Sequence, residues 1–318
     1  VKIPGWKAWW FIMSGVFLVL ATIFVIFKIR ERNQKAIQEY LQRQLDERTR
    51  EVVQQKEEIE VKNRDITDSI NYAQRIQASI LPPIKKLNNA FSGSFVFYQP
   101  RDIVSGDFYW YEQISEDKFI VVCADSTGHG VPGAFMSMIG TTLIKDICLR
   151  SGIRKPSQIL TTLDNEVREA LNQNMETSGS NDGMDIIVAE VDMKTHKFVV
   201  SSAMRPVIIY SEGEQIYVKG SRSSIGGQLD EDRVEKDFID QEFDLKKGDI
   251  VYMFSDGYPD QFGGPLGRKF KMVRLKNLLK DIHDKPMDEQ YNYIKSNFFL
   301  WKEDLEQVDD VLFMGIKI

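Results

Sequence analysis

The sequence predicts an α+β protein in which antiparallel sheets are covered by helices, after a membrane-spanning helix and a coiled-coil helix. Three observations lead to this prediction. Short apolar stretches follow one another in groups, as the strands of a meandering sheet do, and helical stretches come in pairs between them. An uncharged segment, long enough to cross a bilayer, lies near the N-terminus. A heptad repeat separates it from the remaining residues.

The uncharged segment is Ala8–Phe27, AWWFIMSGVFLVLATIFVIF, and we assign residues 1–32 to a transmembrane helix with its flanks. Trp6, Trp9 and Trp10 form an aromatic belt at its start. More basic residues follow it than precede it: Lys28, Arg30, Arg32 and Lys35, against Lys2 and Lys7. The positive-inside rule then predicts a single pass through the inner (cytoplasmic) membrane, with the later residues in the cytoplasm. A cleaved signal peptide is disfavoured by the length of the segment and the lack of a small-residue cleavage site.

Residues 33–80 form the predicted coiled-coil linker. Apolar residues recur there every seven positions, at Leu45, Val52, Ile59, Ile66, Ala73 and Ile80. The partner core positions, such as Gln42 and Lys56, are mostly polar, so the pattern predicts a weak coiled coil and a homodimer. A weak seam suits a signalling linker, while a solvated single helix that only spaces domains is the alternative. Pro82-Pro83 ends the helix.

Residues 81–318 form the predicted α+β domain. Eight apolar stretches are typical of strands: Phe95–Tyr98, Phe108–Tyr111, Phe119–Ala124, Ile186–Val191, Phe198–Ala203, Val207–Tyr210, Ile250–Phe254 and Val311–Ile318. Helical spacing of apolar residues predicts helices around Phe135–Ile147, Ile159–Leu171, Leu275–Ile282 and Tyr291–Trp301. The net charge of −6, without a strongly basic tract, argues against a nucleic-acid partner. Cys123 and Cys148 lie in apolar contexts and are expected to be reduced.

Aspartates stand at the ends of several predicted strands. They are Asp107, Asp125, Asp185, Asp256 and the pair Asp309-Asp310. Carboxylates gathered at strand ends repel one another unless something compensates them, and hard divalent cations do so through oxygen ligands. No set of histidines and cysteines has the spacing of a zinc site. The pattern therefore predicts bound Mn²⁺ or Mg²⁺ and metal-assisted chemistry on a phosphate.

The motifs around these aspartates resemble the SpoIIE-type (RsbU-like) metal-dependent protein phosphatases of the type 2C superfamily. They are SGDFYW, ADSTGHGVPGAFMS, DGMDIIV, SIGG, FSDGYPDQFGG and VDDVLFMGIKI, in that family's order. The resemblance implies an αββα sandwich and a protein serine/threonine phosphatase. The segment KIPGWKAWWF with the following span also resembles the junction after the propeller and Y_Y_Y sensor modules of Bacteroidetes signalling proteins.

The resemblance also implies roles for single residues. Asp107, Asp125, Asp256 and Asp309 are the expected catalytic ligands of two or more Mn²⁺ or Mg²⁺ ions, with the carbonyl of Ser126 helping. Asp185 corresponds to an additional metal-binding position. A metal-activated water would attack the phosphorus of phosphoserine or phosphothreonine directly.

Some residues near these motifs depart from the type 2C pattern or have no fixed role. Arg101, six residues before Asp107, is a candidate contact for the substrate phosphate, with a plain surface arginine as the alternative. Type 2C enzymes have a histidine two residues after the metal-binding aspartate, where this chain has Thr127. His129 is therefore expected to stabilise the turn, with a role as general acid as the alternative. The roles of Asp310 and Arg205 stay open, Arg205 being a local variation or a second anion contact.

The function predicted from the sequence is the phosphatase output domain of a membrane signalling protein. Its substrate would be a phosphorylated regulatory protein, by family analogy an anti-sigma-factor antagonist. One rival is a non-catalytic scaffold that binds a phosphoprotein, which the presence of all the expected metal aspartates disfavours. The other is a nucleotidyl cyclase, which the order of the elements disfavours.

Overall fold

The structure, a computed structural model, describes residues 9–173, 180–227 and 237–318. The flank at residues 1–8, with Trp6 and the two lysines of the charge comparison, lies outside the described residues. Contacts within the chain divide it into two units, Val1–Asp68 and Ser69–Ile318. The division into three predicted regions at residues 32 and 80 stays a prediction.

The first unit is helical in its described part. Helix α1 is Trp9–Ile80, so the predicted helix across the apolar segment and the heptads is confirmed, and it ends before the two prolines as expected. Among the described residues, one helix has a segment long and apolar enough to cross a membrane, and that segment is not buried. The heptad residues from Leu45 to Ile66 are also exposed. The coiled coil and the membrane location stay predictions.

The second unit contains the remaining helices and all the described strands. The helices are α2 (Ile84–Ala90), α3 (Gly130–Leu149), α4 (Pro156–Ala170), α5 (Gly257–Asp260), α6 (Lys271–Ile282) and α7 (Met287–Lys302). The strands are β1 (Gly93–Gln99), β2 (Phe108–Gln113), β3 (Lys118–Ser126), β4 (Gly183–Asp192), β5 (Lys197–Ala203), β6 (Val207–Ser211), β7 (Glu214–Val218), β8 (Ile225–Gly226), β9 (Gln241–Asp244), β10 (Ile250–Phe254), β11 (Phe262–Gly263), β12 (Arg268–Lys269) and β13 (Val311–Lys317).

The strands form two large antiparallel sheets. One has the order β1-β13-β10-β6-β7, and the other has the order β2-β3-β4-β5-β9 with β8 added to β4. A two-stranded ribbon, β11-β12, lies apart from both. The ladders pair antiparallel, as predicted, for example Phe97 with Phe313 and Val121 with Ala189.

Successive side chains of a strand point to opposite faces of the sheet, and this alternation creates the apolar layers of the domain. On β3, Val121 and Cys123 belong to the apolar layer between the sheets, while Ile120 and Val122 pack in the layer formed with α3 and α4. A third layer joins the five-stranded sheet to α6 and α7. Helices therefore cover both outer faces of two stacked sheets, the αββα arrangement that the resemblance implied.

Elements that the sequence did not predict are short or lie at edges. The two prolines stop α1 and then start α2, because Pro83 is its N-cap with a fixed backbone angle. Strand β9, QEFD, is an edge strand with mostly polar residues, so it lacks the apolar stretch that marks a buried strand. Neither difference affects the strand ends that carry the aspartates.

Candidate metal centre

The predicted metal aspartates lie at strand ends of both sheets. Asp125, next to the last residue of β3, is the register partner of Asp185 near the start of β4. Like charges directly opposite each other on neighbouring strands destabilise a sheet unless a cation lies between them. This pairing therefore places two carboxylates where a positive charge is required.

Three further aspartates flank other strands. Asp107 immediately precedes β2 of the same sheet, while Asp256 follows β10 and Asp309 precedes β13 of the five-stranded sheet. Asp107 is 1% exposed, and its Oδ2 has no hydrogen-bond partner among the described residues. A buried carboxylate oxygen without a partner costs about 1–3 kcal/mol or more. Such an atom fits a cation ligand, because a bound cation would remove this cost.

Glycines bring the segment before β2 close to the turn after β3. A Cβ atom on Gly133 would lie 2.4 Å from the carbonyl oxygen of Gly128 and 2.9 Å from the Cα of Gly106. A Cβ on Gly106 would lie 3.2 Å from the carbonyl oxygen of Ser126. The glycines of SGDFYW and TGHGVPGAF thus allow two backbone segments to pack without side chains between them. As a result, the Ser126 carbonyl lies beside the segment that carries Asp107.

Two side chains hold this segment in place, and the sequence indicated neither role. Asp310 accepts hydrogen bonds from the backbone N–H of Arg101 at 2.8 Å and of Gly106 at 2.7 Å. Gln77, near the end of α1, donates to the Ser105 carbonyl at 2.6 Å and accepts from the Ser105 N–H at 3.2 Å. Asp310 is therefore a positioning residue for the loop before Asp107. Its partners are more than 200 positions away in the sequence, so no local signal could have revealed the contact.

Burial dominates the electrostatics of these aspartates. It raises the pKa of Asp107 well above its ordinary value, and the charge of Asp125 adds to the increase. Burial, reinforced by nearby carboxylates and opposed by Arg205, raises the pKa of Asp125 to about 8. The pKa values of Asp185 and Asp309 are raised as well, again mainly through burial. The group therefore favours either protonation or a nearby cation.

Arg205 supplies such a cation. Its Nη2 lies 2.8 Å from Asp125 Oδ2 and 3.0 Å from Asp185 Oδ2, and its Nη1 lies 2.8 Å from Asp256 Oδ2. As the side chains are placed, the described residues contain no group of three or more acidic, histidine or cysteine side chains that could hold a metal ion. The structure thus brings Asp125, Asp185 and Asp256 together around an arginine that the sequence left without a role.

The other candidate residues have different partners. The guanidinium of Arg101 donates to the Val308 carbonyl at 2.9 Å, and its role as a phosphate contact stays a prediction. His129 lies 2.9 Å from a carboxylate oxygen of Asp102 through Nδ1, at the turn after β3. Thr127 donates to the Gly183 carbonyl, so it ties the end of β3 to the start of β4. Cys123 and Cys148 are free thiols, as expected.

The comparison with known protein families matches the part of the chain that carries most of these aspartates. The family model of Stage II sporulation protein E (SpoIIE) matches residues 115–318, which is more than half of the chain. This range begins after Asp107 and includes the other four aspartates that are candidate metal ligands: Asp125, Asp185, Asp256 and Asp309. No curated protein sequence gives a significant match.

Solved structures are similar over most of the chain. The SiaA-PP2C domain of Pseudomonas aeruginosa is 30% identical, covers 80% of this chain and 98% of its own, and has a TM-score of 0.71. The PP2C phosphatase domain of Bacillus subtilis SpoIIE, with a fragment of its regulatory domain, is 19% identical over 71% of this chain and 61% of its own, with a TM-score of 0.56. The RsbU and RsbW domains of a Mycobacterium tuberculosis protein are 19% identical over 70% and 59%, with a TM-score of 0.55. The last two similarities concern the fold alone.

Proposed function

The chain belongs to the SpoIIE family and is a PP2C-type protein serine/threonine phosphatase, and from this premise we propose that it dephosphorylates a regulatory protein as the output domain of a membrane signalling protein. The single observation that carries the proposal is the convergence of Asp125, Asp185 and Asp256 on one positive group at the ends of two sheets. A site built from carboxylates of both sheets suits a metal-dependent hydrolase. Cys123 and Cys148 are buried, so neither thiol is placed to act as a nucleophile.

The residues that would hold Mn²⁺ or Mg²⁺ are Asp107, Asp125, Asp185, Asp256 and Asp309, with the carbonyl of Ser126. When bound, such cations make water a nucleophile at neutral pH and neutralise charge on the phosphoryl group. The carboxylate of Asp310 and the amide of Gln77 orient the loop before Asp107. These contacts keep the loop that carries Asp107 in place before substrate arrives.

The substrate and the setting of the protein belong to the proposal. The proteins similar in fold include the RsbU and RsbW domains and SpoIIE, which supports a phosphorylated regulatory protein, such as an anti-sigma-factor antagonist, as substrate. The exposed apolar segment of α1 supports a membrane anchor, with the phosphatase domain on the cytoplasmic side. The exposed heptad residues that follow support a homodimer.

The proposal is tested with the full chain purified in detergent, assayed on phosphoserine and phosphothreonine peptides with Mn²⁺, with Mg²⁺ and with excess chelator. We expect hydrolysis only with metal. Asp256→Asn should lower kcat/KM by about a hundredfold or more, because even the loss of an outer partner costs metal sites 10–100-fold. Asp288→Asn is the matched control, since this exposed aspartate lies in the first turn of α7. Full activity in chelator would contradict the metal centre, and turnover of a nucleoside triphosphate instead would favour a cyclase.

A further inference from the structure

We propose that Arg205 is a movable cation of the active site: it holds the carboxylates when no metal is bound, and when metal displaces it, it contacts the substrate phosphate. The inference rests on the proposed function. Arg205 lies between Ala203, the last residue of β5, and Val207, the first residue of β6. Because β5 belongs to the six-stranded sheet and β6 to the five-stranded one, this connection crosses from one sheet to the other. An arginine there reaches carboxylates of both sheets.

The contacts of the guanidinium coincide with the oxygens that a metal would need. Its two terminal nitrogens lie 2.8–3.0 Å from one carboxylate oxygen each of Asp125, Asp185 and Asp256. At these distances no space is left for a cation bound to the same three oxygens, since metal–oxygen bonds are about 2.0–2.6 Å long. Metal binding through these atoms therefore requires Arg205 to move.

The charges explain why the arginine occupies this position and why it can be exchanged. Without it, three partly buried carboxylates would face one another with no compensation, which is unfavourable in a poorly hydrated site. The guanidinium brings one positive charge, whereas a divalent cation brings two and binds the oxygens directly. Arg205 thus compensates the three carboxylates when no metal is bound, and a divalent cation would compensate them more strongly.

The released side chain has a place to go. Arg205 also lines a cavity of about 400 Å³, together with Asp256, Tyr217, Pro259 and Lys271. Its Nε is buried and has no hydrogen-bond partner among the described residues, so this atom does not fix the side chain in its present position. A phosphate group bound between the metal centre and this cavity would meet a planar guanidinium, which pairs with phosphate oxygens through two parallel hydrogen bonds. Lys271 adds a second positive charge at the cavity wall.

The exchange is tested by Mn²⁺ binding to the full chain in detergent, followed through the loss of the free Mn²⁺ signal in electron paramagnetic resonance. Arg205→Gln should bind Mn²⁺ about tenfold more tightly than the unaltered chain, because the competing cation is gone. In chelator it should unfold at a lower temperature, and saturating Mn²⁺ should remove most of this difference. Arg205→Lys, which keeps the charge, should lie between the two. The matched control is Arg150→Gln, which removes an exposed pair with Asp146 and should bind Mn²⁺ unchanged.

The phosphate contact is tested at saturating Mn²⁺ with a phosphopeptide substrate and with inorganic phosphate as inhibitor. In Arg205→Gln, both KM and the inhibition constant for phosphate should rise about tenfold, the size of one lost charge-assisted hydrogen bond. Unchanged or weaker Mn²⁺ binding by Arg205→Gln would overturn the exchange. Unchanged KM and phosphate inhibition would show that the arginine is a structural cation only, which also overturns the proposal. If the chain hydrolyses no phosphopeptide, the proposed function fails, while Mn²⁺ binding still decides the exchange.

Discussion

The two units of the chain differ in what covers their apolar side chains. In the first unit, the heptad residues Leu45 and Ile59 are 62% and 57% exposed. In the second unit, Ile159 and Val188 are fully buried between helices and sheets. Burying such a side chain stabilises a fold by about 1.5–3 kcal/mol, so the second unit obtains its stability within this chain. The first unit leaves such side chains exposed, which agrees with the predicted membrane segment and coiled-coil strand.

Helix α1 repeats this difference within one element. Gln42 belongs to the first unit and donates to Asp46, one turn further along the exposed helix. Gln77 belongs to the second unit, is 6% exposed, and bonds to Ser105 and Ser137 of the phosphatase domain. The neighbouring Ile76 and Ile80 are 42% and 37% exposed. Beside these exposed apolar residues, a buried amide joins the end of α1 to the segment before Asp107.

We expect the largest effect on stability when a glycine of the second unit, and not one of the first unit, is replaced by alanine. Gly133→Ala would place a Cβ 2.4 Å from the Gly128 carbonyl oxygen and 2.9 Å from Gly106, so the backbone beside the metal centre has to shift. We expect a loss of about 2–3 kcal/mol in the free energy of unfolding, as for overpacked cores. Gly15→Ala is the matched control, since its Cβ would meet nothing within 4 Å. Denaturant unfolding of the full chain, followed by tryptophan fluorescence, measures both. Equal stability of the two variants would contradict the close packing of the glycine motifs.

A smaller effect is expected at the two glutamines of α1. Gln77→Ala leaves the N–H and carbonyl of Ser105 without their side-chain partner, at a cost of about 1–3 kcal/mol. Because Ser105 lies two positions before Asp107, the affinity for Mn²⁺ should fall as well. Gln42→Ala removes only an exposed contact and should change stability by less than about 0.5 kcal/mol. Denaturant unfolding and Mn²⁺ titration of both variants measure these effects on stability and on metal affinity. Normal Mn²⁺ affinity of Gln77→Ala would show that the amide stabilises only the end of α1.

The same contacts show how far the sequence alone leads. Apolar stretches predicted eight strands of the two sheets but not β7, β8 and β9, and the motifs brought out the aspartates, because both signals are local in the sequence. Arg205, Gln77 and Asp310 could not be assigned, because their roles come from contacts between distant residues. The Asp310 bonds, for example, join positions 209 and 204 apart. Sequence periodicity also could not distinguish Gln77 from the apolar positions beside it, since the packing of the sandwich decides which face of the helix is covered.

The smallest and most informative effect is expected from the exposed heptads. If the seam from Leu45 to Ile66 pairs with a second copy, its phase transmits a signal toward the phosphatase domain. Each residue inserted after Lys56 rotates the following stripe by about 100°. Seven residues almost restore the phase, because 3.6 residues per turn differs little from the heptad average. Phosphatase rates should therefore change by about fivefold over insertions of one to four residues and recover at seven, the size of an ordinary coupling between sites.

The insertions are measured in the membrane-embedded full chain, with and without a dimerising fusion in place of the apolar segment. The fusion should preserve the dependence on insertion length, because it supplies the second copy that the membrane helix would otherwise bring near. Replacement of Leu45 and Ile59 by serine is the companion experiment: it should flatten the dependence while leaving the unfolding of the phosphatase domain unchanged, since both side chains are exposed. A rate that is the same for every insertion would mean that α1 acts only as a tether. The exposed apolar residues would then mark a surface for a different partner.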